Sequence, residues 1–187
     1  MPGKIDARLK QLGITLPDAS APAANYVPTV QSGNLVFIAG QITLNNGKRE
    51  YVGKLGRDFG VEDGQKAARL CALNIIAHLR NACGGDLDRV KRCVRVGGFV
   101  NAVPDFTDHP QVINGASNLL VEVFGDAGKH ARAAVGVGKL SAARAGASRR
   151  HSARLVVRSF MVSPPSACGT RRRRCGTRRS SRCGRGC

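Results

Sequence analysis

The sequence predicts an α+β domain in which two helices lie on one face of a sheet. Apolar side chains recur at three- and four-residue spacing over about 61–83 and 108–124, a pattern typical of amphipathic helices. Compact or alternating apolar runs at 35–44, 90–103 and 131–137 are typical of strands. The predicted order is two strands, a helix, a strand, a helix and a strand. A length of 187 residues suits one such domain with a tail.

The first part of the chain predicts a short helix and then a hairpin. Residues 4–12 place three apolar side chains on one side of a helix that ends at Gly13. Three prolines between positions 17 and 28 predict an extended or irregular segment after it. The run 35–39 is a buried strand, and the chain continues over 41–44 into a tight turn. The Asn-Asn-Gly sequence at 45–47 supplies the positive φ angles that such a turn requires.

The two long helices carry signals at their ends. Acidic residues near position 62 suit the positive end of the first helix, and the glycine pair at 84–85 stops it. Asp108 is the expected N-cap of the second helix, with Pro110 in its first turn and Gly125 at its end. The strand that follows, at 131–137, carries one arginine, Arg132.

The charge of the chain is unevenly distributed. There are 30 Lys and Arg residues against 12 Asp and Glu residues, which gives a formal charge of +18. The first 137 residues carry +4, whereas the last 50 carry +14 and contain no acidic residue. We therefore divide the chain into a globular domain over 1–137 and a basic tail over 138–187. Such a tail is expected to bind nucleic acid without sequence preference, through phosphate contacts.

The N-terminus alternates charged and apolar residues and has no apolar core of the kind that a signal peptide requires. No run of about 18 apolar residues occurs, so no membrane span is predicted. These observations favour a cytoplasmic location.

The seven cysteines are an odd number, which in that compartment favours free thiols. Cys71, Cys83 and Cys93 lie in periodic apolar segments and are predicted core residues. The other four, all in the tail, lack the paired spacing of a zinc site. The four histidines show no metal-ligand spacing either, so neither a metal nor a cofactor is predicted.

Seven segments in a fixed order resemble the reactive intermediate deaminase family, whose members are also described as YjgF-like or endoribonuclease L-PSP-like. Within that family the chain is most similar to a bacterial subgroup of poorly defined activity. The segments are Ala-Pro-Ala-Ala-Asn-Tyr-Val-Pro at 21–28, Gly-Asn-Leu-Val-Phe-Ile-Ala-Gly-Gln at 33–41, Arg-Leu-Cys-Ala-Leu-Asn at 69–74, Asp-Leu-Asp-Arg-Val-Lys-Arg at 86–92, Gly-Phe-Val-Asn at 98–101, Val-Ile-Asn-Gly-Ala-Ser at 112–117 and His-Ala-Arg-Ala-Ala-Val-Gly-Val at 130–137.

The resemblance implies a chorismate-mutase-like fold with a mixed sheet, and a homotrimer with a binding cleft at each subunit interface. It implies a small metabolite with a carboxylate group as the ligand. The best understood members hydrolyse imines or enamines to ammonia and a 2-keto acid. By this resemblance Arg132 binds the substrate carboxylate, Tyr26 closes the pocket and Asn114 is a polar pocket residue.

Three departures from the family pattern bear on activity. Ala134 stands where many members have cysteine, and Ala39 stands where a serine is often found, so both are expected to line the pocket as small apolar residues. The family's last strand carries a glutamate that positions water, whereas no Asp or Glu follows Asp126 here. The alternatives are therefore an active imine hydrolase, a catalytically impaired metabolite-binding trimer and, less favoured, an RNA-binding or endoribonuclease-like protein that acts through its basic tail.

A one-base change of reading frame near Val137 would explain the missing glutamate together with the arginine-rich tail. One back-translation of residues 138–144, read one base later, restores the family's Leu-Pro-Leu turn. The alternative is a natural basic tail that binds RNA or DNA. Residues 153–162 keep the apolar pattern of a strand and are a candidate to replace the lost terminal strand. An unpaired edge would otherwise remain in the sheet.

Overall fold

The computed structural model describes residues 3–21, 24–138 and 153–163, with the backbone alone for 153–158. It confirms the α+β class. The helices are α1 (Lys4–Gln11), α2 (Val61–Ala82) and α3 (His109–Phe124), with short 3-10 turns at Leu87–Arg89 and Gly125–Gly128. The strands are β1 (Thr29–Ser32), β2 (Leu35–Ile38), β3 (Gln41–Ile42), β4 (Leu44–Asn45), β5 (Lys48–Arg49), β6 (Val90–Asn101), β7 (Ala131–Val137) and β8 (Ala153–Val162).

The main sheet is mixed and has the order β1-β2-β8-β6-β7, with β3 pairing with β8 beyond the end of β2. Among the described strands, only β6 and β7 are parallel to each other, and α3 connects them. The helices α2 and α3 pack against one face of this sheet, as the sequence predicts. The opposite face is open as far as the described residues go, and it carries exposed apolar side chains on four strands. They are Val30, Phe37, Val135 and Met161.

Close packing at three glycines holds α3 against its neighbours. A Cβ at Gly115 would lie 2.1 Å from the Gln65 carbonyl oxygen of α2, so the two helices touch backbone to backbone at this point. A Cβ at Gly98 of β6 would lie 2.4 Å from Ile113, so α3 is also seated directly on the sheet. A Cβ at Gly128 would lie 2.2 Å from the Leu120 carbonyl oxygen, so the turn after α3 folds back against it. A larger side chain at any of these positions would push α3 away.

The core lies between the helices and the sheet. It contains the three cysteines that the sequence places there, Cys71, Cys83 and Cys93. Burial raises the pKa of Cys93 to about 12 and also raises that of Cys83, so both thiols stay protonated at neutral pH. These residues are packing elements and not nucleophiles.

The first strands differ from the predicted order in two details. The prolines predict an extended or irregular segment before residue 33, and its last part, residues 29–32, is extended and forms an additional strand, β1, which pairs antiparallel with β2 through a turn in which Gly33 has φ of +56°. The Gly-Asn pair of that turn is a hairpin signal that the preceding prolines obscured. The predicted continuation of β2 is also divided. Its first part, β3, pairs with β8, and β4 and β5 form a separate two-stranded sheet around the predicted turn.

The strand at Ala153–Val162 lies in the middle of the main sheet, between β2 and β6. It is antiparallel to both, and its Phe160 is completely buried, with its ring centroid 6.3 Å from that of Phe124. The sheet therefore extends past the domain boundary that the charge pattern suggests at Val137. The arginine- and cysteine-rich end of the predicted tail, from residue 164, lies outside the described residues.

If β8 completes the core, Phe160→Ala should lower the free energy of unfolding by about 3–5 kcal/mol, because it removes a fully buried ring. Val121→Ala, at a half-exposed valine of α3, is the matched control and should change it by less than about 0.5 kcal/mol. Urea denaturation followed by circular dichroism measures both. A chain cut after Val137 should lose the cooperative transition that a chain cut after Pro164 keeps. Equal behaviour of the two truncated chains would show that β8 is dispensable.

Acid should weaken the fold through His78, a buried residue of α2 whose Nε2 has no hydrogen-bond partner among the described residues. Burial lowers the pKa of His78 below its ordinary value of 6.5. Below that value the unfolded chain binds a proton that the folded chain does not, so stability falls as the pH falls. Denaturation between about pH 7.5 and 5.5 should show a smaller loss of stability for His78→Leu than for the original chain. Parallel pH profiles would exclude this role of His78.

Candidate functional site

Arg132 is the second residue of β7, the edge strand next to β6. It lies opposite Val96 in the parallel register, and Val96 is completely buried beneath the helices. Because neighbouring residues of paired strands point to the same face, the side chain of Arg132 also projects towards the helix layer. It meets α3 at the border of the sheet, where its guanidinium remains accessible.

Two residues of α3 receive hydrogen bonds from one nitrogen of this guanidinium. Arg132 Nη1 donates to Asn114 Oδ1 at 2.7 Å and to Ser117 Oγ at 3.2 Å. The two acceptors are three residues apart and therefore share one face of the helix. Within the described part of the chain, Nε and Nη2 have no hydrogen-bond partner and no carboxylate forms an ion pair with Arg132. One complete edge of the guanidinium is available to a ligand, and that edge matches the two oxygens of a carboxylate.

His130, the residue before β7, joins Arg132, Asn114 and Ser117 in one polar cluster. Its Nε2 lies 3.1 Å from Ser117 Oγ, and its Nδ1 lies 2.7 Å from the Gly128 carbonyl oxygen. Burial lowers the pKa of His130, the bond to Gly128 opposes this shift, and the positive charge of Arg132 adds to it. The ring is therefore neutral at pH 7. Sequence spacing alone does not predict that His130 and Ser117 contact each other. Their nearness depends on the fold of the turn between α3 and β7.

Ala134, a predicted pocket residue, lies beside Arg132. It is half-buried, two residues further along β7 and opposite Gly98, so it faces the helix layer about 7 Å from Arg132. Asn114, Arg132 and Ala134 thus lie near one another at the border between α3 and β7, and their roles in binding stay predictions.

Ala39 and Tyr26 lie towards the other edge of the sheet. The backbone of Ala39 is held by a hydrogen bond to the Pro28 carbonyl oxygen at 2.8 Å and by one from Gln41 Nε2 at 3.0 Å. Tyr26 precedes β1 and is 50% exposed. Since β1 and β7 are four strand spacings apart, roughly 19 Å, one chain does not place Tyr26 on Arg132. A common pocket for the two residues requires a second subunit.

A cavity of about 420 Å³ lies at the opposite end of β7. Its lining includes Lys54, Phe106, His109 and the backbone at 136–138, but not Arg132. The five residue-to-residue steps from Arg132 to Val137 span about 17 Å of strand, so this cavity is separate from the guanidinium. It is not the carboxylate site that the arginine forms.

Among the described residues, no group of three or more His, Cys, Asp or Glu side chains could hold a metal ion. No helix in the same part of the chain has the length and apolar character needed to cross a membrane.

Comparison with known proteins agrees with the fold. Residues 6–141 match the family described as "YjgF/chorismate_mutase-like, putative endoribonuclease". Protein TCP17 of Trypanosoma cruzi is 48% identical over 139 residues, which are 74% of this chain and 86% of that protein.

Two solved structures are also similar. The protein Atu1372 of Agrobacterium tumefaciens, whose function is described as unknown, is 42% identical, with a TM-score of 0.75 over 85% of this chain and 94% of that one. A "putative endoribonuclease" of Shewanella oneidensis is 33% identical, with a TM-score of 0.76 over 85% of this chain and 99% of that one. The chain belongs to the YjgF/chorismate mutase-like family.

Proposed function

We propose that the protein is a hydrolase of 2-imino acids and their enamine tautomers, with Arg132 as the residue that binds the substrate carboxylate. The observation that carries this proposal is the guanidinium edge formed by Nε and Nη2. It is unpartnered within the described residues, while Asn114 and Ser117 hold the other nitrogen. An arginine whose position is fixed and whose ligand edge is unoccupied binds a carboxylate at little cost in conformational entropy.

This arrangement orients the reacting carbon. In a 2-imino acid the imine carbon is bonded directly to the carboxylate carbon, so two parallel hydrogen bonds from Arg132 fix both. Water adds to the C=N bond, and its oxygen becomes the carbonyl oxygen of the 2-keto acid. The imine nitrogen gains two protons, both originally from the water, and leaves as ammonia. The contribution of Arg132 is binding and orientation, and backbone groups with bound water carry out the proton transfers.

A homotrimer is part of the proposal because one chain does not form the whole pocket. The open face of the sheet exposes Val30, Phe37, Val135 and Met161, each by at least 42%. The sheet also has two open edges, β1 near Tyr26 and β7 with Arg132. Contact between the β1 side of one subunit and the β7 side of the next would bury apolar surface and bring Tyr26 towards Arg132.

A binding protein without catalytic activity is the second candidate. It is favoured by the absence of any Asp or Glu after Asp126, which leaves β8 without the family's glutamate. A general acid or base contributes about 10²- to 10⁴-fold to a rate, so its loss would leave binding intact while activity falls.

Nucleic-acid binding through the basic end of the chain is a weaker alternative. Comparing RNA cleavage by the full chain with cleavage by a chain cut after Pro164 would reveal any contribution from that end. The proposed cytoplasmic location is compatible with each of these functions.

Substitution of Arg132 tests the carboxylate role. Arg132→Ala should lower kcat/KM for 2-iminobutyrate by about 10- to 150-fold, because it removes hydrogen bonds to a charged group. Arg132→Lys should recover only part of this loss, since an ammonium group lacks the planar pair of donors. Release of ammonia in a coupled assay measures the rate.

Arg57→Ala is the control for that experiment, because Arg57 is an exposed arginine paired with Asp58 away from the site. It should leave kcat/KM unchanged. Hydrolysis that proceeds equally well with Arg132→Ala would refute the proposal. Binding of 2-oxobutyrate without measurable hydrolysis would instead support the binding protein.

Assembly through the open face can be tested at a single valine of β7. Val135→Lys should shift the protein from trimer to monomer in sedimentation velocity, because it introduces a charge into the apolar surface. Val121→Lys, at a similarly exposed valine on α3, is the matched control and should leave the trimer intact. A trimer that persists in Val135→Lys would exclude this face as the interface.

A further inference from the structure

A series of hydrogen bonds links Gly128 to Arg132 through His130 and Ser117, and the direction of each bond follows from the atoms involved. The Gly128 carbonyl oxygen can only accept, so the hydrogen of the bond at 2.7 Å belongs to His130 Nδ1. In a neutral imidazole the other nitrogen then has a lone pair and no hydrogen. His130 Nε2 must accept the bond at 3.1 Å, and the hydroxyl of Ser117 must donate it.

Because Ser117 donates its hydrogen to His130, its hydroxyl can act only as an acceptor for Arg132. A serine hydroxyl has one hydrogen, and the bond to His130 uses it. The remaining lone pairs of Ser117 Oγ accept from Arg132 Nη1 at 3.2 Å. Nη1 carries two hydrogens, and its second bond goes to Asn114 Oδ1 at 2.7 Å. Both hydrogens of Nη1 are therefore used within the protein.

The chain of bonds begins at a rigid point. Gly128 lies so close to Leu120 of α3 that a Cβ would have no space, which fixes the Gly128 carbonyl group relative to the helix. Ser117 and Asn114 are on the same helix. Burial of His130 lowers its pKa and so favours the neutral ring that this direction of hydrogen bonding requires. The guanidinium of an edge-strand residue is thereby tied to α3 at two acceptors.

We infer that Ser117 and His130 are positioning residues: they hold Nη1 of Arg132 so that the Nε–Nη2 edge faces the ligand and binds a planar carboxylate side-on. This inference depends on the proposed role of Arg132 in binding the substrate. Neither residue touches the ligand, because Ser117 contacts the guanidinium at Nη1, the nitrogen that the ligand does not use, and His130 acts through Ser117. Their contribution is to reduce the number of orientations that Arg132 samples before binding.

Binding of 2-oxobutyrate to the full chain, measured by isothermal titration calorimetry, tests the inference. Ser117→Ala and His130→Ala should each raise Kd by about 3- to 10-fold, because each weakens the restraint on Nη1 of Arg132. Ser117→Thr retains the hydroxyl and should bind within about 2-fold of the original chain. The double variant Ser117→Ala/His130→Ala should bind no more weakly than the weaker single variant, because both residues act through one series of bonds.

A second measurement does not depend on ligand affinity. In side-chain NMR spectra the two Nη1 hydrogens of Arg132 should give separate signals, since hydrogen bonds to Ser117 and Asn114 slow rotation about the Cζ–Nη1 bond. Ser117→Ala and His130→Ala should merge these signals, and Ser117→Thr should keep them apart. Thermal unfolding of each variant confirms that the fold is retained.

The outcomes separate this inference from the proposed function. Loss of binding in Arg132→Ala, with unchanged Kd in Ser117→Ala and His130→Ala, would overturn the positioning role alone. Additive losses in the double variant would also overturn it. Unchanged binding in Arg132→Ala would reject the carboxylate role itself. If the original chain does not bind 2-oxobutyrate, the NMR signals still decide whether the two residues restrain Arg132.

Discussion

The close seating of α3 is the constraint on which the remaining structure depends. Its glycine contact with α2 and its contact with Gly98 of β6 leave no space for even one methyl group, so the helix has one position relative to the sheet. That position determines where the turn at 125–128 folds back and where β7 begins. Arg132, Ser117 and His130 meet because these elements are held together. The precision of the polar cluster thus originates in apolar packing beneath it.

Much of the fold could be predicted because the long elements have strong periodic patterns. The helices α2 and α3 and the strands β6 and β7 satisfy both local preference and burial. The two helices also end next to the predicted glycines, and α3 begins directly after Asp108. The short strands near residue 40 were predicted less well. Two-residue strands such as β3 have no periodicity of their own, and their partner β8 is more than 100 residues away in sequence.

The candidate site was only partly accessible to sequence analysis. Arg132, Asn114 and Ala134 were predicted because they occupy recognisable motif positions, and the structure places them near one another. The hydrogen bonds that Ser117 forms with Arg132 and with His130 were not predicted, because they depend on a tight turn and on the register of β7 against β6. Tyr26 and Ala39 illustrate another limit. They share a motif position with family pocket residues, yet within one chain they lie towards the other edge of the sheet, away from Arg132.

The central position of β8 has a consequence for synthesis on the ribosome. The strand that fills the gap between β2 and β6 is made last among the described elements, after both of its neighbours. Until it emerges, the nascent chain has two unpaired inner edges in addition to the two outer ones. Early association of these edges with other chains would compete with correct insertion of β8. The need for chaperones during translation therefore depends on the delay between synthesis of β6 and synthesis of β8.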